Sequence, residues 1–182
     1  MNDIMLDLET LATSPDALVV SVGAVIFDPN TDVLGPTLYA EISDLSLQQE
    51  RGRRIDANTV VWWMAQDAMA RQVFAEKPDD APNRLTTSGA LLSFMELVAA
   101  AGGRDARIWG NGADFDNIIW GSLYEDFGLK RPWSYSKNRC FRTMKAGYPH
   151  VKVAREGVHH NALDDAITQA KHLQAIMKAM KT

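Results

Sequence analysis

Cysteine is nearly absent from this chain: Cys140 is the only one in 182 residues. A single thiol excludes an intrachain disulfide and a thiolate zinc cluster, and it fits a reducing compartment. Long hydrophobic runs are missing as well, with no stretch of about 18 uncharged apolar residues that could span a bilayer. Met1-Asn2-Asp3 leads at once to Asp7 and Glu9, without the basic start and apolar centre of a secretory signal, so a cytoplasmic location and no membrane partner are expected. Positive charge is not in excess: 19 basic against 23 acidic residues leave a net charge of −4. That balance excludes a broad cationic surface that would hold nucleic acid by phosphate neutralisation alone. Repeats, low-complexity tracts and linkers are also lacking, so one domain over residues 1–182 is expected, with 46% apolar content to build its core.

What is present reads as strands first and helices later. Ile4, Leu6 and Leu8 alternate with Met5, Asp7 and Glu9, and residues 19–27 form a valine-rich apolar run; both are strand patterns. After the turn at residues 28–32 a third strand is expected over 33–42, interrupted by Gly35-Pro36. Residues 44–54 are polar, after which Asp56 or Asn58 can cap a helix carrying Val60 to Met64. A second helix is expected over 67–76, an exposed connection over 77–85, and a third helix over 88–101 that Gly102-Gly103 stops. The short strand 107–109 runs into Gly110-Asn111-Gly112, where Asp114 is the expected cap of a helix bearing Ile118, Ile119, Leu123 and Phe127. A short helix near 141–146 and a loop over 149–157 precede a long helix from about 161 to 180, with Leu163, Ile167, Ala170, Leu173, Ile176 or Met177, and Met180 on its apolar face. This order describes an α/β fold: a mixed sheet, antiparallel meander first and parallel strands after, covered by helices.

Three acidic elements carry the chemistry. Asp7 and Glu9 are two residues apart at the end of the first strand, so both carboxylates project to one face, and paired carboxylates suit hard cations such as magnesium or manganese. Taken alone, they read equally as solvated acids at a strand end. Asp116 falls in the first turn of a helix, where the peptide dipole favours an ionised acid, and stabilising that helix start is its alternative role. His159-His160-Asn161-Ala162-Leu163-Asp164-Asp165 places histidine just before a helix and aspartate in its first or second turn. Adjacent helical aspartates point about 100° apart, so at most one of Asp164 and Asp165 shares a site with Asp7 and Glu9.

Asp7-x-Glu9-Thr10, Asn111-x-x-x-Phe115-Asp116 and His160-x-Ala162-x-x-Asp165 together resemble, in order, the three motifs of the DEDDh 3′-5′ exonuclease superfamily. The match spans nearly the whole chain. Within the superfamily it is most similar to the phage exonuclease A, exonuclease VIII and mycobacterial-type exoribonuclease branch, through residues 14–24 and the segment Thr59 to Gln66. The resemblance implies an RNase H-like fold and removal of nucleoside 5′-monophosphates from the 3′ end of DNA or RNA, single-stranded or as a 3′ overhang. It implies that Asp7, Glu9, Asp116 and Asp165 hold two divalent cations, Mg2+ or Mn2+, and that His160 is the general base. The pairing of His160 with Asp165 keeps Ala162 in the motif's alanine position, whereas His159 with Asp164 would put Asn161 there. Asp114 departs from the pattern, since a small or amide residue is expected at that place.

Thr10, Leu11, Trp62 and Asn111 are the candidate substrate contacts: Leu11 as a wedge against the terminal base, the Thr10 backbone at the terminal sugar, and Trp62 as a stacking face. Trp62 and Trp63 are neighbours and cannot both face the core of one helix; base stacking, core packing and the interface of a homodimer all remain open for them. Arg51, Arg53 and Arg54 form the densest basic cluster, readable as a phosphate guide or as a solvated loop, with Arg139 and Arg142 as lesser cations. His150 and His172 belong to no motif. Two other readings compete. A haloacid-dehalogenase-type phosphatase needs aspartate where Glu9 stands and has no role for the Asn111 to Asp116 segment. A noncatalytic binder of nucleic-acid ends has no need of His160 as a base.

Overall fold

The computed structural model describes residues 1–181. Strands β1 (Asp3–Thr10), β2 (Val19–Phe27) and β3 (Leu34–Ile42) come first, followed by helices α1 (Leu45–Glu50) and α2 (Ala57–Met64) and a 3-10 turn over Ala70–Phe74. Then come β4 (Arg84–Leu85), α3 (Thr87–Ala100), β5 (Arg107–Gly110), α4 (Asp116–Asp126), β6 (Asn138–Cys140), α5 (Phe141–Gly147) and α6 (Ala162–Ala179). The six strands form one sheet in the order β4-β3-β2-β1-β5-β6. The first three pair antiparallel, while β1–β5, β5–β6 and β3–β4 pair parallel, which is the expected mixed sheet. Among the described residues no helix is long and apolar enough to cross a membrane.

The sheet is covered on both faces, so β1 and β2 are buried along their whole length. Ile4, Leu6 and Leu8 meet a cluster containing Leu91 and Phe94 of α3 and Trp120 and Tyr124 of α4. On the opposite face Met5, Val25, Phe27 and Trp109 pack against Ala166, Ala170, Leu173 and Ile176 of α6. By alternation Asp3, Asp7 and Glu9 share the α6 face. Helix α6 lies very close to the sheet beside them. A β-carbon on Gly23, the cross-strand partner of Asp7, would sit 2.1 Å from the Ala162 carbonyl carbon, so only glycine admits the helix start at that depth. The side chain of Asn161 caps α6, accepting from the backbone N–H groups of Leu163 and Asp164.

Several elements differ from expectation. Strand β3 is not broken at Gly35-Pro36; it runs through, and a register shift against β2 absorbs the proline, which has no N–H to give to a ladder. The polar segment 44–54 contains α1, held by Gln48, whose amide both donates to and accepts from the backbone of Val19 in place of another strand. The helix expected over 67–76 is reduced to the 3-10 turn, with the Asp67 carboxylate accepting from Met69 and Ala70 N–H. The connection 77–85 includes the two-residue β4, and β6 adds an edge strand beyond β5. Asp56, rather than Asn58, caps α2. Asp114 does not cap α4, which begins at Asp116 after Phe115 without a side-chain cap. On α6 the face turned to the sheet is Ala162, Asp165, Ala166, Ala170, Leu173 and Ile176, with small residues at the start where the approach is closest; Leu163 and Ile167 are only partly buried and Met180 is half exposed.

Candidate active site

Strand β5 stays paired with β1 only as far as Met5–Trp109, and the two chains separate beyond it. Asp116, at the start of α4, enters that gap: its Oδ1 accepts a hydrogen bond from Leu8 N–H at 3.2 Å. Gly110 at the end of β5 makes the entry possible, since a β-carbon there would lie 2.4 Å from Asn117 Oδ1 and 2.9 Å from Asp116 Oδ2. From the other side α6 brings Asp165 over the sheet. Carboxylate oxygens of Asp7, Glu9 and Asp165 lie within 4.8 Å of one another. These four acids share one cavity of about 220 Å3 with Asn111, Arg142, Arg155, His159, His160 and Gln169. Asp164 is not among them: its carboxylate accepts from Val158 N–H at 2.7 Å and fixes the preceding loop.

His160 has a positive φ of 62°, uncommon for a residue with a β-carbon and costly enough to need support from its surroundings. Its backbone N–H donates to Asp165 Oδ2 at 3.3 Å, and its Nδ1 stands 4.0 Å from Glu9 Oε1. The ring of Trp62 meets the imidazole edge-on at 4.9 Å, and His159 stacks on it at 3.8 Å.

Beside the acids, sharing Leu8, Glu9 and Phe115 with them, opens a second cavity of about 580 Å3 whose walls include Thr10, Thr13, Trp62 and Trp63. Trp63 is 3% exposed and donates its indole N–H to the Thr10 carbonyl, while Trp62 is 44% exposed. Leu11 is not brought to either space; it lines a separate apolar pocket with Val60, Met64 and Phe74. Two members of the arginine cluster are engaged within the fold, while Arg54 is exposed. Arg53 is buried, pairs with Asp126 and donates to the Pro15 and Ile119 carbonyls, while Arg51 donates to the Asp126 carbonyl and lies over the Phe127 ring. His172 is packed, with Nε2 2.9 Å from the Val151 carbonyl oxygen.

Residues 2–177 match the family described as the 3′-5′ exoribonuclease Rv2179c-like domain. The chain belongs to this family. An exodeoxyribonuclease of Enterobacteria phage T4 is 26% identical to the Rv2179c-like chain over 134 residues, which is 69% of this chain and 57% of the phage enzyme's length. Among solved structures, one of 3′-end specific recognition of histone mRNA stem-loop by 3′-exonuclease superposes with a TM-score of 0.60 at 12% identity, covering 97% of this chain and 81% of that one. Cell-death related nuclease 4 superposes at 0.53 and 13% identity, over 97% of this chain and 64% of its own. At these identities the likeness is one of fold, and it is the RNase H-like fold that the three motifs imply.

The Rv2179c-like site concentrates negative charge where water is scarce. Burial, followed by the charges of Asp116, Glu9 and Asp165, holds the Asp7 carboxyl well above its ordinary range, against the hydrogen bond from Gln169. Burial, with Asp165 and Asp116, pushes Glu9 up to about 9, Arg155 opposing. Burial raises Asp116 to about 7, although the N–H groups of Leu8 and Asn111 and the charge of Arg142 work the other way. His160 is lowered, first by burial and then by His159. Asp116 Oδ2 is buried without a hydrogen-bond partner. An oxygen-only donor set, mutual repulsion and an orphaned carboxylate oxygen all fit a bound hard cation.

Two residues at the centre escaped the sequence reading. Gln169 donates to Asp7 Oδ1 at 2.7 Å, and its Oε1 is buried without a partner. It stands four residues after Asp165 on α6, so helical spacing was a usable signal. Arg155 pairs with Asp165 Oδ1 from the loop before α6, and nothing local in the sequence marks it.

Proposed function

We propose that residues 1–182 form one metal-dependent 3′-5′ exonuclease domain that removes nucleoside 5′-monophosphates from the 3′ end of single-stranded DNA or RNA. The observation that carries this reading is convergence: acids from β1, α4 and α6 meet His160 in one cavity that opens onto an aromatic-walled pocket. Asp7, Glu9, Asp116 and Asp165 would hold two divalent cations, Mg2+ or Mn2+. Such ions, when bound, make water a nucleophile near neutral pH and offset charge on the reacting phosphate. His160, its basicity lowered by burial, is neutral at pH 7 and takes the proton of the attacking water. The water oxygen bonds to phosphorus, the bond from phosphorus to the 3′ oxygen of the preceding nucleotide breaks, and that oxygen takes a proton from solvent to leave a 3′-hydroxyl on the shortened strand. Trp62, exposed beside His160, stacks on the terminal base, a contact worth about 1–3 kcal/mol. A base must leave its duplex to reach it, which favours a single-stranded end.

Matched 12-mers of DNA and RNA incubated with the protein and Mn2+ test this reading by mononucleotide release. Asp7→Ala is expected to abolish both turnover and Mn2+ binding, and His160→Ala to remove most turnover while Mn2+ still binds, as measured by calorimetry. Binding of 3′ ends without release under any divalent cation overturns the proposal.

A further inference from the structure

Adjoining the acidic cavity at Asn111 and Arg142, and sharing no lining residue with the Trp62 pocket, lies a third cavity of about 390 Å3, and it is basic. Arg142, Lys145 and Lys152 line it together with Asn111, Pro149 and His172. Arg142 and Lys145 are three residues apart on α5, which puts both on one side of that helix. None of the three cations takes part in the ion pairs formed among the described residues. Asp114 stands across Gly112 from Arg142 without pairing with it, and His172 is engaged with the Val151 carbonyl. Lys145 and Lys152 form no ion pair on a chain of net charge −4, and Arg142, whose charge also acts on Asp116, stands where the basic and acidic cavities meet, an arrangement that suits a bound anion.

The three cavities are contiguous. The aromatic pocket shares Leu8, Glu9 and Phe115 with the acidic cavity, which in turn shares Asn111 and Arg142 with the basic one. The sequence is therefore aromatic, acidic, basic. A polynucleotide presents the same series at its 3′ end: a terminal nucleoside, the scissile phosphate, and then the phosphates of the remaining strand.

We infer that the Arg142, Lys145 and Lys152 cavity is a phosphate subsite that holds the nucleic-acid backbone on the 5′ side of the scissile bond. This rests on the exonuclease reading and adds a direction to it: the strand enters over α5 and ends against α2. The subsite acts on polynucleotides and is bypassed by a mononucleotide ester, whose leaving group carries no further phosphate.

The test is the double variant K145A/K152A, both positions being exposed, with Lys130→Ala as a control that removes a distant positive charge. Binding is read by anisotropy of a 5′-fluorescein 12-mer whose last linkages are phosphorothioates, with Mn2+ present, as a function of salt. The double variant should bind about tenfold more weakly, with a salt slope shallower by about 1.4 for two lost single-strand contacts at about 0.7 each. The ratio of kcat/KM on the 12-mer to kcat/KM on the p-nitrophenyl ester of thymidine 5′-monophosphate should fall about tenfold as well, while Lys130→Ala leaves that ratio and the affinity unchanged. Wild-type affinity and salt slope in the double variant overturn the subsite even if the ester is turned over normally. A wild-type protein that hydrolyses neither substrate overturns the exonuclease reading instead, and the anisotropy series still decides whether the basic cavity holds a strand.

Discussion

Asp3, Asp7 and Glu9 project from the same face of β1, yet their surroundings give them opposite tasks. Asp3 receives both arms of the Arg107 guanidinium and the Trp109 indole N–H, and is a fully satisfied structural acid. Asp7 and Glu9 face other carboxylates instead, and Gln169 is the neighbour that orients Asp7. Gln169→Leu is therefore expected to weaken Mn2+ binding by about tenfold, the lower end of what loss of an outer-shell partner costs. Calorimetric titration checks this, and unchanged affinity would show that Gln169 plays no part in orienting the site. The adjacent pair on α6 separates in the same way. Asp164→Ala should lower stability by about 1–3 kcal/mol, because Val158 N–H loses a charged acceptor, with Mn2+ binding retained. Asp165→Ala should instead lose Mn2+ binding, in addition to any stability given up with the Arg155 pair and the His160 N–H bond. Urea unfolding paired with calorimetry distinguishes them; the reverse pattern would assign the site to Asp164.

At the scale of elements, α6 both seals one face of the sheet and delivers Asp165, and Gly23 sets its depth. Gly23→Ala should cost about 3 kcal/mol in urea unfolding by forcing strand and helix apart, and should reduce turnover further by moving Asp165 away from Asp7. A variant with wild-type stability and activity would contradict that geometry. The elements legible in the sequence were those whose signal is local: the apolar periodicities of β1 and β2, the start of α6 near residue 161 and the glycines ending α3. The three acidic motifs were legible for the same reason, each being short and tied to an element's end. What could not be read were features decided by distant partners. Helix α1 depends on Gln48 reaching β2, β4 and β6 exist only as additions to a sheet already formed, and Arg53 was indistinguishable from its exposed neighbours until α4 supplied Asp126 and carbonyl acceptors.

Across the whole molecule, the acidic cavity couples stability to pH. Asp7, Glu9 and Asp116 hold their protons more tightly in the folded chain than in the unfolded one, where carboxyls titrate near 4. The folded state therefore binds more protons between those ordinary values and about 7 to 9, and stability falls as pH rises through that window. In EDTA the protein should melt at a lower temperature at pH 8.5 than at pH 5.5. Mn2+ competes with those protons, so its addition should raise the melting temperature more at pH 8.5 than at pH 5.5. Thermal unfolding at both pH values with and without Mn2+ measures this, and an equal rise at both would mean that the ion binds elsewhere.

The closeness of Gly23 to α6 also bears on how this chain can change over generations. A side chain at position 23 would strike the carbonyl carbon and oxygen of Ala162 and the nitrogen of Leu163, all of them backbone atoms. Most steric conflicts can be relieved by trimming the opposing residue, but backbone is common to every amino acid. No second substitution at 162 or 163 can make room, so a descendant that loses this glycine has no suppressor at the point of collision and must shift the whole helix, together with the aspartate it carries.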